Sequence, residues 1–269
     1  MTKLAASTII RHIDQKLHNP DFRIIGEEDD YLVVNKPAHL LVHPSVPGNP
    51  STLWDGLKQY LAFEIANGGQ VSIITRLDRE TSGLVLVATT AAAARRFGLA
   101  MQAKAFTKTY LAIVWGWPVS DRFEIDGALI RKGEIEESPV WVKQQVHPDG
   151  KAARTAFRVL QRFSKATSNG ERFALVECCP ETGRMHQIRV HLQYAGHPLV
   201  GDKLYGKPGE GCYLEFIETG WTDSLEEKLL LKRQALHASK LVWTDGQGEH
   251  QWDCPLPTEL KDFILAENA

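Results

Sequence analysis

TRLDRETSGLVLVA, Thr75 to Ala88, holds the change of character on which the fold turns. One carboxylate, Asp78, stands between Arg76 and Arg79. A Thr-Ser-Gly turn follows, and the chain then becomes the apolar run LVLVA. That run is too short for a helix and suits a buried strand. Asp78 is therefore expected at the mouth of a core strand, on an irregular, permissive backbone.

Outward from this stretch, strands and helices intermix without regular alternation. Upstream, FRIIGEEDDYLVVNKPAHLLVHPS reads as a hairpin about an acidic turn, running into a proline-rich loop. Ser51 is expected to cap a helix with an apolar side of Leu53, Trp54, Leu57, Tyr60 and Leu61, ended by Gly68 and Gly69. Downstream, Thr89 or Thr90 caps an alanine-rich helix ending near Lys104. FTKTYLAIVWGW, PVWVKQQV, RTAFRVLQRF and RFALVECCP are predicted strands. MHQIRVHLQYAG is a predicted helix starting near Arg184 and closed by Gly196. Gly206 to Gly220 is expected as a loop, HASKLVW and HQWDCP are late strands, and PTELKDFILA is a closing helix. The pattern predicts an α+β fold with a large mixed, mostly antiparallel sheet flanked by helices and loops. Residues 1–20 are expected to form an arm, and 21–269 a single domain.

Composition narrows the function. The chain has 269 residues, 43% hydrophobic and 24% charged. Its longest apolar runs fall well short of the ~20 residues that cross a bilayer. The N-terminus lacks a signal peptide's apolar core. Four scattered cysteines suit free thiols in a reducing compartment, so a cytoplasmic protein is expected. Net charge is -2, but basic residues outnumber acids from Arg76 to Lys108 and from Arg131 to Lys165, which allows a basic face. The plain alternative is a solvated surface of both signs.

Motifs exclude several chemistries. No C-x-x-C, H-E-x-x-H, dinucleotide fingerprint, phosphate loop or nucleophile elbow occurs. His186 and His191, five apart, do not share a helical face. No metal and no cofactor are expected. For Asp78 the plain reading is a surface ion pair of little energetic value. Its place before an apolar strand speaks against that. On a helix starting near Arg184, Arg184, Ile188 and His191 would project together, and a guanidinium can hold a carboxylate ionised in bidentate geometry. The alternative is that Arg184 and His191 bond backbone carbonyls, which is the expected role of His191.

Four ordered segments resemble the RluA-type family of RNA pseudouridine synthases. They are YLVVNKPAHLLVHPS, RLDRETSGLVLVA, KTYLAIVWG, and GRMHQIRVHLQYAGHPLVGDKLYG, the last continued by RQALHASKLVW and DCPLPTEL. The resemblance implies an isomerase that detaches uracil from ribose, rotates it and rejoins it through a ring carbon, in tRNA or ribosomal RNA. It makes Asp78 the catalytic aspartate, Arg184 the arginine that pairs with it, and Tyr110 the active-site tyrosine that stacks on the base. Ile188 or Val190 completes an apolar wall. Arg76, Thr81 and Lys108 are candidate substrate contacts, with Arg79, Lys104, Lys151 and Arg154 as further phosphate candidates. A monomer acting on RNA without a separate N-terminal RNA-binding domain is expected. An RNA-binding or RNA-folding protein with weak turnover is the alternative. It draws on two departures, Thr75 where the family often has His and Met185 where it often has Thr; His39 also stands where Gly is common.

Overall fold

RIIGEE and YLVVNK, joined by an acidic two-residue turn, fold into strands β1 (Arg23–Glu28) and β2 (Tyr31–Lys36), paired antiparallel as expected. The computed structural model describes residues 21–44, 51–168, 170–246 and 248–265. The arm expected over residues 1–20 lies outside them. The chain divides into two compact units, Met1–Ala105 and Phe106–Ala269.

The first unit continues with helices α1 (Leu53–Tyr60) and α2 (Ala62–Ala66), the short strand β3 (Ser72–Ile73), β4 (Ser82–Ala88) and helix α3 (Ala91–Gln102). Its strands pair antiparallel, β1 with β2, β2 with β4, and β4 with β3. Every residue of β4 is buried. Period two splits the unit into two faces. Leu32, Val34, Val85 and Val87 pack with Leu53, Leu57 and Leu61. Burying each such side chain contributes ~1.5–3 kcal/mol. Tyr31 meets Phe97 of α3 edge-on at 5.3 Å. The cap of α1 is Thr52, one residue later than the expected Ser51. Asp55 stands three positions after Thr52, and its carboxylate accepts from the Thr52 N–H at 2.9 Å, which completes a capping box. Ser51 has Trp54 at that position and cannot close one. Thr90 caps α3, as one of the two expected threonines.

The second unit holds β5 (Phe106–Trp115), β6 (Arg122–Asp126), β7 (Leu129–Arg131), β8 (Gln144–Val146), β9 (Arg154–Ser164) and β10 (Arg172–Pro180). Helices α4 (Gln187–Tyr194), α5 (Gly211–Thr219) and α6 (Asp223–Leu229) follow, then β11 (Leu236–Asp245), β12 (Gly248–Asp253) and α7 (Thr258–Leu265). The antiparallel order is β12-β11-β5-β10-β9-β6, with β7 and β8 a separate pair. Even-numbered residues of β5 and β10, among them Ala112, Val114, Ala174 and Val176, pack with Ile188 and Leu192 of α4. Odd-numbered Ile113, Trp115 and Phe173 pack with Leu260 and Phe263 of α7. The α+β expectation holds, and the strand pairs within each unit are antiparallel.

Three local expectations need correction. PVWVKQQV forms a strand only at Gln144–Val146, because Lys143 N–H closes a turn on Val140 O and β7 offers just three partner residues. The stretch read as a loop from Gly206 to Gly220 contains α5, and α6 follows. Their own small core of Cys212, Leu225 and Leu229 sets them apart. The helix expected from Arg184 begins at Gln187, since His186 has φ 57° and cannot sit inside a right-handed helix. Arg184 therefore lies on a turn and not on a face shared with Ile188 and His191. The four cysteines are free thiols, as expected.

Candidate active site

Asp78 opens a turn closed by Thr81 N–H on Asp78 O at 3.1 Å, directly before β4. The turn is held from below by a buried cation. Lys36 is fully buried at the end of β2, and its Nζ lies 2.8 Å from Pro37 O, 2.9 Å from Leu40 O and 3.1 Å from Arg79 O. One ammonium thus ties the NKPAH loop to the peptide following Asp78. Buried carbonyls need donors, and a charged donor makes the stronger bonds. Thr75 fixes the approach to the turn: its hydroxyl accepts from Leu86 N–H at 2.8 Å in the buried interior. Thr75 thereby extends the ladder of β4 by a side chain.

Arg76 and Arg79 are exposed on either side of half-buried Asp78, while Thr81 is buried. Partial burial, with the Arg76 charge added, lowers the pKa of His43. His39, in the same loop as Lys36, has φ 66°. That left-handed conformation explains why a glycine would be at home there.

In the second unit, Lys108, Tyr110 and Ala112 share one face of β5. Tyr110 is flanked across the strands by Cys178 and Ala238, both buried and smaller than the ring. It packs in the cluster that contains Ile188. Val190, two residues on, turns into a different cluster with Leu129, Leu204 and Tyr205. The structure therefore brings Ile188, and not Val190, to the Tyr110 side. Lys108 is half-buried, and burial lowers its pKa. A β-carbon at Gly183 would stand 3.7 Å from Lys108 Nζ, so the ammonium lies beside the turn that carries Arg184.

Arg184 is exposed, and its Nε donates to Ala152 O at 3.1 Å. Its two terminal nitrogens have no hydrogen-bond partner among the described residues. His191 is fully buried and structural, as expected. Its Nε2 lies 2.8 Å from Gly127 O and its Nδ1 2.9 Å from Thr155 Oγ1. Burial lowers its pKa, against the opposing pull of the Gly127 carbonyl and Asp126.

The basic face is thinner than the sequence suggests. Arg154, Arg158 and Arg162 of β9 pair with Glu124, Glu177 and Asp121 at 2.7, 2.9 and 2.7 Å. Arg154 is thus a surface ion pair, while Lys104 and Lys151 are exposed. Among the described residues no three of His, Cys, Asp and Glu converge as metal ligands would, and no helix is long and apolar enough to cross a membrane. Sequence reasoning missed Lys36 and Gln187. The first had a signal, a lysine ending an apolar strand just before proline. The second had none, because its partners are scattered in the chain.

A sequence profile described as RNA pseudouridylate synthase matches residues 30–194. The ribosomal large subunit pseudouridine synthase D of Salmonella typhimurium is 36% identical over 91% of this chain and 70% of its own length. Its namesake in Yersinia pestis is 35% identical over 91% of this chain and 70% of its own. Among solved structures, human RNA pseudouridylate synthase domain containing 1 superposes with a TM-score of 0.65 at 26% identity, covering 87% of this chain and 83% of that one. The matched segment begins just before β2, runs through the Asp78 turn and Tyr110, and ends with α4; the chain belongs to the RNA pseudouridylate synthase family, in its RluA-type branch, and is an RNA-modifying isomerase.

Proposed function

We propose that this isomerase converts a uridine of ribosomal RNA to pseudouridine, with Asp78 as its catalytic carboxylate. The observation that carries the role of Asp78 is its turn, clamped through Arg79 O by a fully buried lysine within the family match. A chain does not bury a cation against three carbonyls to hold an ordinary surface acid, because desolvating it is costly. The reaction breaks the bond from uracil nitrogen to ribose, forms one from a ring carbon to the same ribose carbon, and gives up the proton of that ring carbon to solvent while the freed nitrogen takes one up. Atoms and electrons balance without oxidant or energy donor. An ionised Asp78 serves as nucleophile on ribose, as nucleophile on the uracil ring, or as base toward ribose. Tyr110 supplies an aromatic surface for the base, with Ile188 beside it. Arg184 supplies a guanidinium whose terminal nitrogens are exposed for the same reaction.

Ribosomal RNA is favoured over tRNA by the names of the relatives. A uridine stacked in RNA hides its glycosidic bond, so the nucleotide must be extruded at a cost of a few kcal/mol. Arg76, Arg79, Lys104 and Lys151 are the exposed cations proposed to bind phosphate, with an affinity that falls as salt rises. Action as a cytoplasmic monomer completes the reading. The test is tritium release from RNA labelled at the uracil carbon that joins ribose. Wild type releases label over many turnovers and Asp78→Ala does not. Equal release from both would end the assignment. Tight binding without release on any RNA pool would leave a binding protein.

A further inference from the structure

Gln187 is buried at the first position of α4, and its side-chain amide makes four hydrogen bonds. Its Oε1 accepts from Arg184 N–H at 3.1 Å and from the Thr182 hydroxyl at 2.6 Å. Its Nε2 donates to Arg154 O at 2.9 Å and to Thr155 Oγ1 at 3.0 Å. Its backbone N–H also donates to Arg184 O at 3.2 Å. One buried residue therefore holds both the peptide N–H and the carbonyl of Arg184, although Arg184 itself is exposed.

The bonds behind Gln187 have one direction. Gly127 O only accepts, so His191 Nε2 carries the proton, and Nδ1 must accept from Thr155. The Thr155 hydroxyl proton is thus committed to His191, which leaves its oxygen to accept from Gln187. Gln187 must then present its amide nitrogen to β9 and its carbonyl oxygen to Arg184. The reverse flip would set donor against donor at Arg184 N–H and acceptor against acceptor at Arg154 O. The amide orientation follows from Gly127 O, three hydrogen bonds away, and a satisfied buried network of this kind specifies one geometry.

We infer that Gln187, backed by Thr155 and His191, is the positioning group that fixes Arg184 for the reaction. The inference rests on the proposed service of Arg184 in that reaction. Gln187 acts through Arg184 and touches no substrate. A guanidinium on an exposed turn must be held to a fraction of an ångström to act on a reacting group, and misplacement by about 1 Å costs roughly 10²-fold in rate. The Nε bond to Ala152 O fixes one point of the side chain, and Gln187 fixes the peptide from which it springs.

The test is a double-mutant cycle read by single-turnover tritium release and RNA affinity, well below the melting temperature. Gln187→Glu keeps the acceptor for Arg184 N–H and loses both donors to β9. Expected is a fall in the chemical rate of roughly 10- to 100-fold, with RNA affinity changed less than about 3-fold and no further fall when the change is added to Arg184→Met. Thr155→Val, which removes only the central hydroxyl, carries the same expectation and serves if Gln187→Glu does not fold. A wild-type rate in the folded variant, an equal fall on the Arg184→Met background, or a loss confined to affinity would overturn the inference while Arg184→Met remains crippled. A wild-type rate for Arg184→Met would remove the role of Arg184, and the inference with it.

Discussion

Asp78 and Arg184 both stand on turns, and each turn is fixed by one buried polar residue, but opposite chemistry does the fixing. Under Asp78 the fastener is an ammonium, Lys36, reaching three carbonyls. Under Arg184 it is neutral, an amide backed by a hydroxyl and an imidazole. A cation can satisfy only acceptors, so it suits a loop whose carbonyls turn inward. A neutral amide satisfies both kinds of group, so it suits a turn where an N–H and a carbonyl must be matched together. The first fastener is costly to bury and indifferent to direction. The second costs less but works in one orientation only.

The largest effect that tests this pairing is at Asp78 itself. Asp78→Asn keeps size and backbone while removing the ionisable group, so catalysis should fall by roughly 10⁴-fold with RNA binding retained. A loss below tenfold, measured by tritium release, would show that the clamped turn serves something other than chemistry. Next is its fastener. Lys36→Met leaves the carbonyls of Pro37, Leu40 and Arg79 without their ammonium donor. Urea unfolding should show a loss of about 3 kcal/mol, in line with the 1–3 kcal/mol of each unsatisfied buried group less the relief of an undesolvated charge. Unchanged stability would mean that water takes the place of the ammonium.

Arg184→Met should lower turnover by roughly 10²-fold and weaken RNA binding only modestly. Arg184→Lys should recover part of that, because an ammonium lacks the planar fork of donors. If the main change is in affinity and its salt dependence, Arg184 is a phosphate contact.

These two turns also show what was legible in the sequence and why. Regular elements were, because β4, β5 and β10 carry apolar runs and α1 carries its own cap. Asp78 was conspicuous by contrast with its neighbours. The start of α4 was not legible, since MHQIRVHL has helical periodicity from Met185 onward. Only the left-handed backbone of His186 breaks it. Gln187 was invisible for a related reason: its meaning lies in Thr155 and Gly127, residues ordinary in their own segments. β6 was missed because Phe123 and Ile125 give only one alternation. The pairing of arginines on β9 with acids on β6 and β10 depends on register, which one strand cannot reveal. Position 39 was readable as a place where glycine is common, and φ 66° supplies the reason.

Acid should separate the neutral interior from the charged clamp. The His237 ring, buried and bonded through Nε2 to Cys254 O, has its pKa lowered to about 4, chiefly by burial. His191 is lowered too. Above the unfolded value of about 6.5 both states are neutral and nothing is lost. As pH falls below 6.5 the unfolded chain binds protons that the folded chain refuses, so stability declines until the folded pKa is reached. For His237 the decline should be about 1.4 kcal/mol by pH 5.5. Urea midpoints at pH 7.5 and 5.5 check this, and His237→Gln should flatten the difference by that amount. A slope that survives His237→Gln intact would place the sensitive group elsewhere.

The smallest expected effect lies in the loop that Lys36 gathers. A β-carbon in the left-handed region costs about 1–2 kcal/mol, and glycine gives back about 0.5–1 kcal/mol by loosening the unfolded chain. Comparing His39→Gly with the native protein would mix that strain with whatever the imidazole contacts. Comparing His39→Gly with His39→Ala does not, since both lack the ring and differ only in the β-carbon. The glycine variant should be the more stable by about 1 kcal/mol or slightly less. If alanine equals glycine, the loop relaxes out of the left-handed conformation when the ring is gone. The bonds of Lys36 to Pro37 O and Leu40 O, which bracket residue 39, would then be too weak to impose it. A full difference would mean that the ammonium holds the loop against strain, and that the chain keeps His39 at a small cost in stability.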